Sequence, residues 1–379
     1  MWRVLVAGGG PAGLYVCRNL LNLPLKMHID LYEKSQSLYG LLCTGVSPDK
    51  LSLKSLIPSF DSTLSNPNIR VHLGQKVGEM ISASEIAMNY DFMILCTGAT
   101  VPRNIIISGE SNGRVFQALD FCNYYNGFGS RNAEDIMRCL GNNNATHATV
   151  IGNGNVALDI AKMLLYPRRS LEHTLMSKHI INTLPQLEKV YIVGRGGWIN
   201  AKFTNAQLGS IVNSDLFHPV ISPANYEKSI NLHSGLLSMA NTTSGRAIER
   251  RRKIVERMAK NYHINGKRIL EFIFHSNVTK ISQGTAKMDI QISNCAEHPI
   301  NVESNVIFKA LGFERDQLTL DLLSRENAEI FKANCCHFAS VGWSKFGAKG
   351  DLSTTILQAK ECAEFVNHIT SLFKPKSGI

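Results

Sequence analysis

Residues 2 to 14 read Trp2-Arg3-Val4-Leu5-Val6-Ala7-Gly8-Gly9-Gly10-Pro11-Ala12-Gly13-Leu14. Arg3 to Ala7 is a short apolar run, as expected of a parallel strand buried on both faces. Gly8 to Gly13 matches G-x-G-x-x-G directly after that strand, and a helical stretch follows from Pro11 to Leu21. Each glycine has a physical reason. Gly8 permits the tight turn. Gly10 lets a pyrophosphate approach the backbone at the helix N-terminus. Gly13 lets helix and strand pack closely. Met27 to Glu33 is the next strand, and Glu33 lies 20 residues beyond Gly13. Its carboxylate is placed to accept hydrogen bonds from ribose hydroxyls.

The same grammar restarts about 140 residues later. Ala148 to Ile151 reads as a strand, and Gly152-Asn153-Gly154-Asn155-Val156-Ala157 is a G-x-G-x-x-A turn. The helix Val156 to Leu165 follows, then the strand Lys189 to Val193 and Gly194-Arg195. An arginine where the first unit has an acid suits a 2′-phosphate and argues for NADP over NAD. A surface arginine capping a strand end is the other reading of Arg195. Two dinucleotide sites in one chain imply a flavin and a nicotinamide working as donor and acceptor, here FAD and NADP.

Further strands are expected at Asp91 to Cys96 and Asn305 to Leu311, and a hairpin at Val278 to Ile292 around Gly284. The stretch from Tyr166 to Gln186 reads as a polar insertion, and the tail from Ser353 to Phe373 as a helix. The alternation predicts an α/β fold of two Rossmann-like, three-layer domains. The FAD domain is discontinuous, spanning 1–104 and 313–379, with the NADP domain at 105–312.

The chain has 379 residues, enough for two or three domains with large cores. Its 40 Lys and Arg against 30 Asp and Glu give a formal charge of +10, which favours an anionic partner. No apolar run approaches the roughly 18 residues of a membrane span, and neither a signal peptide nor an arginine-rich presequence is visible. The nine cysteines include no C-x-x-C pair. That spacing argues against a metal site, a disulfide framework, a cysteine-ligated iron–sulfur cluster and a disulfide reductase. Gly245 to Lys260 reads G-R-A-I-E-R-R-R-K-I-V-E-R-M-A-K, with Arg250, Arg251, Arg252 and Arg257 expected on an exposed face. A solvated charged helix and a docking face for an acidic protein are both open there. Nucleic-acid binding is disfavoured, because no aromatic residues interleave the charges.

With these residues in hand, the chain resembles the adrenodoxin reductase type of ferredoxin–NADP+ reductase, nearly end to end. The blocks that carry the resemblance are Gly8 to Gly13, Tyr32-Glu33-Lys34, Gly45-Val46-Ser47-Pro48-Asp49, Gly152 to Asp159, Phe203-Thr204 and Gly342-Trp343 through Thr355. The resemblance implies FAD on Gly8, Gly10, Ala12, Gly13, Glu33, Leu41 and Lys76, with Trp343, Gly350, Asp351 and Leu352 at the flavin ring. It implies NADPH on Asn153, Gly154, Asn155, Val156, Arg195, Gly196 and Gln207, with the nicotinamide reaching Gly350. Asp159, Trp343 and Gly350 take the roles nearest the chemistry. The partner implied is an acidic [2Fe–2S] ferredoxin met by the basic segment, supporting iron–sulfur assembly. The place implied is the mitochondrion or a related organelle, with the cytoplasm as fallback, and the chain is expected to act as a monomer. A non-catalytic basic binding protein on a degenerate flavoprotein scaffold, or another NAD(P)H-dependent flavoenzyme, is the alternative.

Several positions depart from that family. Gly196 replaces the second of two arginines for the 2′-phosphate, and Lys202 is a nearby cation that could compensate. Gln207 stands where the family has a glutamate, and Cys43 where it has an arginine. Lys50 stands where it has a histidine paired with the aspartate matching Asp159. A Lys50–Asp159 ion pair is expected, one that does not titrate near neutral pH.

Overall fold

The computed structural model describes all residues except 130–131, 142–144, 233–242, 264–265, 267, 284–287, 295–296 and 377–379. Gly284 and Cys295 therefore lie outside the described residues. The chain divides into two compact units. One comprises Met1–Val46, Leu51–Arg103 and Phe313–Ile379, the other Ser47–Lys50 and Asn104–Gly312.

The first unit is built on a five-stranded parallel sheet. Its spatial order is His337–Ser340, Phe92–Leu95, Trp2–Ala7, Met27–Glu33, Ile69–Leu73. The glycine-turn strand sits in the middle, so both its faces are covered and five of its six residues are buried. One face carries the helices Pro11–Leu21 and Leu352–Leu372, whose apolar residues join Val4, Val6 and Ile29 in one cluster. The other face packs Leu5, Ala7 and Met93 against Ile86, Leu322 and Phe331. Helix ends are set by local chemistry. Pro11 occupies the first turn of its helix, where its missing N–H costs nothing. Ser82 and Glu85 form a reciprocal capping box on Ala83–Asn89. Asp351 accepts from the Thr354 amide at the head of Leu352–Leu372.

The second unit has a six-stranded parallel sheet. Its order is Val115–Gln117, Val306–Lys309, His147–Ile151, Lys189–Val193, Ile269–Ile273, His218–Ile221. Helices cover one face around Val150, Leu158, Ile192 and Phe272. The other face is covered by an antiparallel three-stranded meander, Ser276–Gln283, Met288–Asn294 and Glu297–Ser304. The meander's Ile281, Ile290 and Ile292 meet Ile151 and Val193 from the parallel sheet. The three layers here are thus helix, sheet and sheet. The expected hairpin is the first half of that meander.

Ser47–Lys50 was read as part of the first domain and groups with the second unit instead. The reason is electrostatic and hydrogen-bonded. Asp49 pairs with Lys162 at 2.5 Å, Lys50 with Asp159 at 2.6 Å, and the Pro48 carbonyl accepts from the Leu175 amide. The polar insertion at 166–186 holds two short helices, Arg168–Leu171 and Lys178–Thr183.

Candidate functional site: two glycine turns

In the first unit, Gly8 has a φ of +113°, and a Cβ there would lie 2.4 Å from the Cys96 carbonyl oxygen. A Cβ on Gly13 would lie 2.0 Å from the Gly8 carbonyl. Both positions therefore need glycine for the turn and for helix–strand contact. Gly10 differs. Its backbone is extended and nothing lies within 4 Å of where its Cβ would be. The space before the helix N-terminus is open, and the helix dipole points its positive end into it. A diphosphate fits that space.

Other expected residues converge on the same turn. The Glu33 carboxylate is buried and accepts from the Gly9 amide through Oε2 and the Ser35 amide through Oε1, both at 2.8 Å. The Tyr39 amide donates to the Gly9 carbonyl. Gly40, at φ +49°, leaves only 3.2 Å between a would-be Cβ and Gly10 Cα, so Leu41 begins its helix beside the turn. Gly342, at φ +73°, leaves only 3.0 Å between a would-be Cβ and the Ala12 methyl. That contact seats Trp343 next to the turn. The Trp343 indole donates to the Gly350 carbonyl at 3.3 Å and closes the 343–350 loop ahead of Asp351 and Leu352. Lys76 lines a cleft with Gly8, Glu33, Thr97, Asp316 and Thr319. It pairs with Asp316 at 3.5 Å. Thr97 and Thr319 share a hydrogen bond of 2.8 Å. Asp316 and Thr319 escaped the sequence reading as partners of this cleft. They lie more than 200 residues from Gly8, and no local pattern marks them.

In the second unit, Gly152 has a φ of +137°, and a Cβ there would meet the Ala310 carbonyl at 2.2 Å. Gly154, like Gly10, faces open space. Ala157 is fully buried at the position of Gly13. Asn153 packs its side chain on Gly194 and donates to the Gly196 carbonyl at 3.1 Å. Its buried Oδ1 has no hydrogen-bond partner among the described residues, which leaves an acceptor open to an outside donor. Asn155 Oδ1 accepts from the Thr204 amide, and its carbonyl accepts from Gln207. Val156 is half-buried in the first turn of its helix. Arg195 is exposed at the strand end.

Asp159 lies one turn into that helix and is almost fully buried. It accepts from Lys50 at 2.6 Å and from Gln207 Nε2 at 2.6 Å, and Lys162 stands 3.5 Å away. The expected Lys50–Asp159 pair is present. Burial pushes the Asp159 carboxyl up, although both lysines pull it down. Asp49 goes the other way. Burial raises it, but Lys162 and Ser47 outweigh that and hold it below the ordinary carboxylate range. Lys162 was missed in the sequence. Its signal was its place three residues after Asp159, on the same helical face.

The basic segment is the helix Thr243–Lys260. Arg251 does not join its exposed face. It is half-buried and stacks on Phe203. Its guanidinium donates to Asn205 Oδ1 and to the carbonyls of Trp198, Ile199, Ala201 and Phe203. Five acceptors on one stretch of chain draw it inward. Arg252 is half-buried and paired with Glu249 and Glu256. The exposed cations are Arg246, Arg250, Lys253, Arg257 and Lys260. Their steps of 4, 3, 4 and 3 put them on one helical stripe.

The chain is similar to several known proteins. The profile of the pyridine nucleotide-disulphide oxidoreductase family matches residues 2–218. The NADPH:adrenodoxin oxidoreductase of Salvelinus fontinalis is 32% identical over 228 residues, 59% of this chain and 45% of that protein. The bovine protein of the same name is also 32% identical, over 227 residues. The chain thus spans less than half of the length of these relatives. The NADPH-ferredoxin reductase FprA of Mycobacterium tuberculosis is 29% identical over 331 residues, 86% of this chain and 70% of that protein. The FprA structure in complex with NADPH superposes with a TM-score of 0.77 at 23% identity, over 100% of this chain and 87% of that one. No described helix is long and apolar enough to cross a membrane. The sequence resemblance to the adrenodoxin reductase type is therefore matched by relatives and by fold. With two glycine-turn units and a family profile over more than half its length, the chain belongs to the pyridine nucleotide-disulphide oxidoreductase family.

Proposed function

We propose that this chain is an FAD-dependent oxidoreductase that passes electrons from NADPH to an acidic [2Fe–2S] ferredoxin. The observation that carries the reading is the pair of glycine turns, each with open space before Gly10 or Gly154 and each heading an 11-residue helix. A flavin held there would supply the chemistry that couples a two-electron donor to a one-electron acceptor.

The chain's own residues divide the work. Gly8, Gly10, Ala12 and Gly13 shape the pyrophosphate seat of FAD, and Glu33 offers its remaining lone pairs to ribose. Lys76 lines the adenosine end of the cleft. Leu41 supplies backbone beside the turn. The Trp343–Gly350 hydrogen bond holds the Gly350-Asp351-Leu352 backbone at the head of a 21-residue helix, whose positive end favours an electron-rich ring. Asn153, Gly154, Asn155 and Val156 shape the NADPH pyrophosphate seat, and Arg195 takes the 2′-phosphate beside Gly196. Asp159 acts as a positioning residue, because it holds Gln207 against the Asn155 carbonyl. Opposite charge steers an acidic ferredoxin to the stripe of Arg246, Arg250, Lys253, Arg257 and Lys260. Downstream, iron–sulfur assembly is the use we infer, in a mitochondrion or related organelle.

The test is to purify the chain, record its visible spectrum, and follow NADPH-dependent cytochrome c reduction with and without a ferredoxin. A yellow protein whose reduction rate rises with ferredoxin is the expected result. A colourless protein that takes up no FAD overturns the reading.

A further inference from the structure

Gly196 leaves the end of the second-unit strand with one arginine, Arg195, and with open space where a second side chain would stand. A single cation is a weak reader of a dianionic phosphate. The structure brings another to the same corner through Asn153. The Asn153 side chain donates to the Gly196 carbonyl at 3.1 Å, and its own carbonyl accepts from the Lys202 amide at 2.8 Å. Gly196 and Lys202 are therefore held on one residue of the glycine turn. Lys202 itself is exposed, between the buried Ala201 and Phe203.

What keeps it there is Arg251. Its guanidinium donates to the carbonyls on either side of Lys202, Ala201 and Phe203, each at 2.8 Å, and to two further carbonyls upstream. The fork is rigid and planar, so it fixes the path of this stretch, which has no regular ladder of its own. A bracketed residue between two buried neighbours must project outward beside the turn.

We propose that Lys202, seated by Arg251, is the second cation of the 2′-phosphate site that Gly196 leaves short. The proposal rests on the reading of this turn as the NADPH seat. Lys202 is the contacting residue, and Arg251 is a positioning residue that acts through it.

Calorimetry on the full chain separates the possibilities. The probes are adenosine 2′,5′-bisphosphate and adenosine 5′-monophosphate. Wild type should bind the bisphosphate more tightly. Lys202→Gln should weaken the bisphosphate about tenfold, the scale of one lost charge-assisted hydrogen bond, and leave the monophosphate unchanged. Lys202→Arg should restore wild-type preference. Arg251→Lys keeps the charge but cannot span both flanking carbonyls. It should show the same selective loss, with flavin content retained. The double variant Lys202→Gln, Arg251→Lys should lose no more preference than either alone, because both changes remove one interaction. Wild type that binds neither probe overturns the nucleotide reading and this inference with it. Wild type that prefers the bisphosphate while Lys202→Gln does so equally overturns this inference alone. So does an equal loss for both probes, or additive losses in the double variant.

Discussion

At the scale of single residues, the glycines of one motif do unlike jobs, and substitution separates them. Gly8 sits at φ +113° with no room for a Cβ, so Gly8→Ala should cost about 1–3 kcal/mol of stability and lower the melting temperature. Gly10 has extended backbone and open space before it. Gly10→Val should therefore leave the melting temperature of the flavin-free protein near wild type while the purified protein loses its yellow colour. A Gly10→Val protein that retains full flavin content would place the pyrophosphate elsewhere. Spacing alone identified both glycines and Glu33. It also assigned the tight turn to Gly8 and the ligand's approach to Gly10; the structure added the contact that enforces the first role, the Cys96 carbonyl 2.4 Å from where a Cβ on Gly8 would lie, which no local pattern marks. The charged side chains Asp49, Lys50, Asp159 and Lys162 teach a related lesson. Lys162 is the buried centre of that cluster, within 3.5 Å of both carboxylates. Lys162→Met should cost about 3–5 kcal/mol in chemical denaturation, since it leaves buried carboxylates short of a partner. The pH dependence follows from Asp49, whose folded pKa lies below its unfolded value of 3.8. Its contribution is full above that value and is lost as pH falls through the lower folded value. The gap between wild type and Lys162→Met should thus be wide at neutral pH and narrow below about 3.8. A gap independent of pH would show that packing, not charge, is what the methionine disturbs.

At the scale of elements, one helix presents two unlike faces. Thr243–Lys260 buries Val255 and Met258 and turns Arg251 inward, while five cations line its exposed stripe. Helical periodicity showed that the segment is amphipathic. It did not show that Arg251 lies on the inner side, because an arginine reads as exposed until five acceptors are found for it. The stripe and the clamp should respond differently to mutation. Arg250→Ala combined with Lys253→Ala should raise the KM for an acidic ferredoxin several-fold and flatten its dependence on ionic strength. Steady-state reduction across a salt series checks this, and an unchanged slope would remove the stripe from the docking surface. Strands were legible where they are apolar and follow a glycine turn, as at Trp2–Ala7 and His147–Ile151. They were missed at Ile69–Leu73, His218–Ile221 and His337–Ser340, each at an edge of its sheet, and at Ile269–Ile273, an apolar strand inside its sheet. Edge strands are covered less completely, so their sequence can be polar, and the pattern that marks a buried strand fades.

At the scale of the whole molecule, the first unit is interrupted by the second, and the interruption has a defined geometry on the first unit's side. Val101–Pro102 pairs antiparallel with Phe313–Glu314, and Arg103 donates to the Phe313 carbonyl at 3.2 Å. The two ends of the break are thus neighbours. Joining residue 103 to residue 313 through a two-glycine linker should yield a folded protein of the first unit that still binds FAD and melts in one transition. Absorption near the flavin bands and a thermal melt check it; a protein that expresses without flavin or without a cooperative melt would show that the first unit depends on the second. The sequence by itself determined the two glycine turns, the acid after one and the arginine after the other, and hence the expectation of two dinucleotide sites on a parallel α/β scaffold. These are local features, fixed by what a strand, a tight turn and a helix N-terminus each demand of neighbouring residues. Only the tertiary structure decided which cations face solvent, which brace the stretch beside the second glycine turn, and which sit in a buried cluster. Those assignments depend on burial, and burial depends on partners such as the Ala201 and Phe203 carbonyls that lie about fifty residues from Arg251.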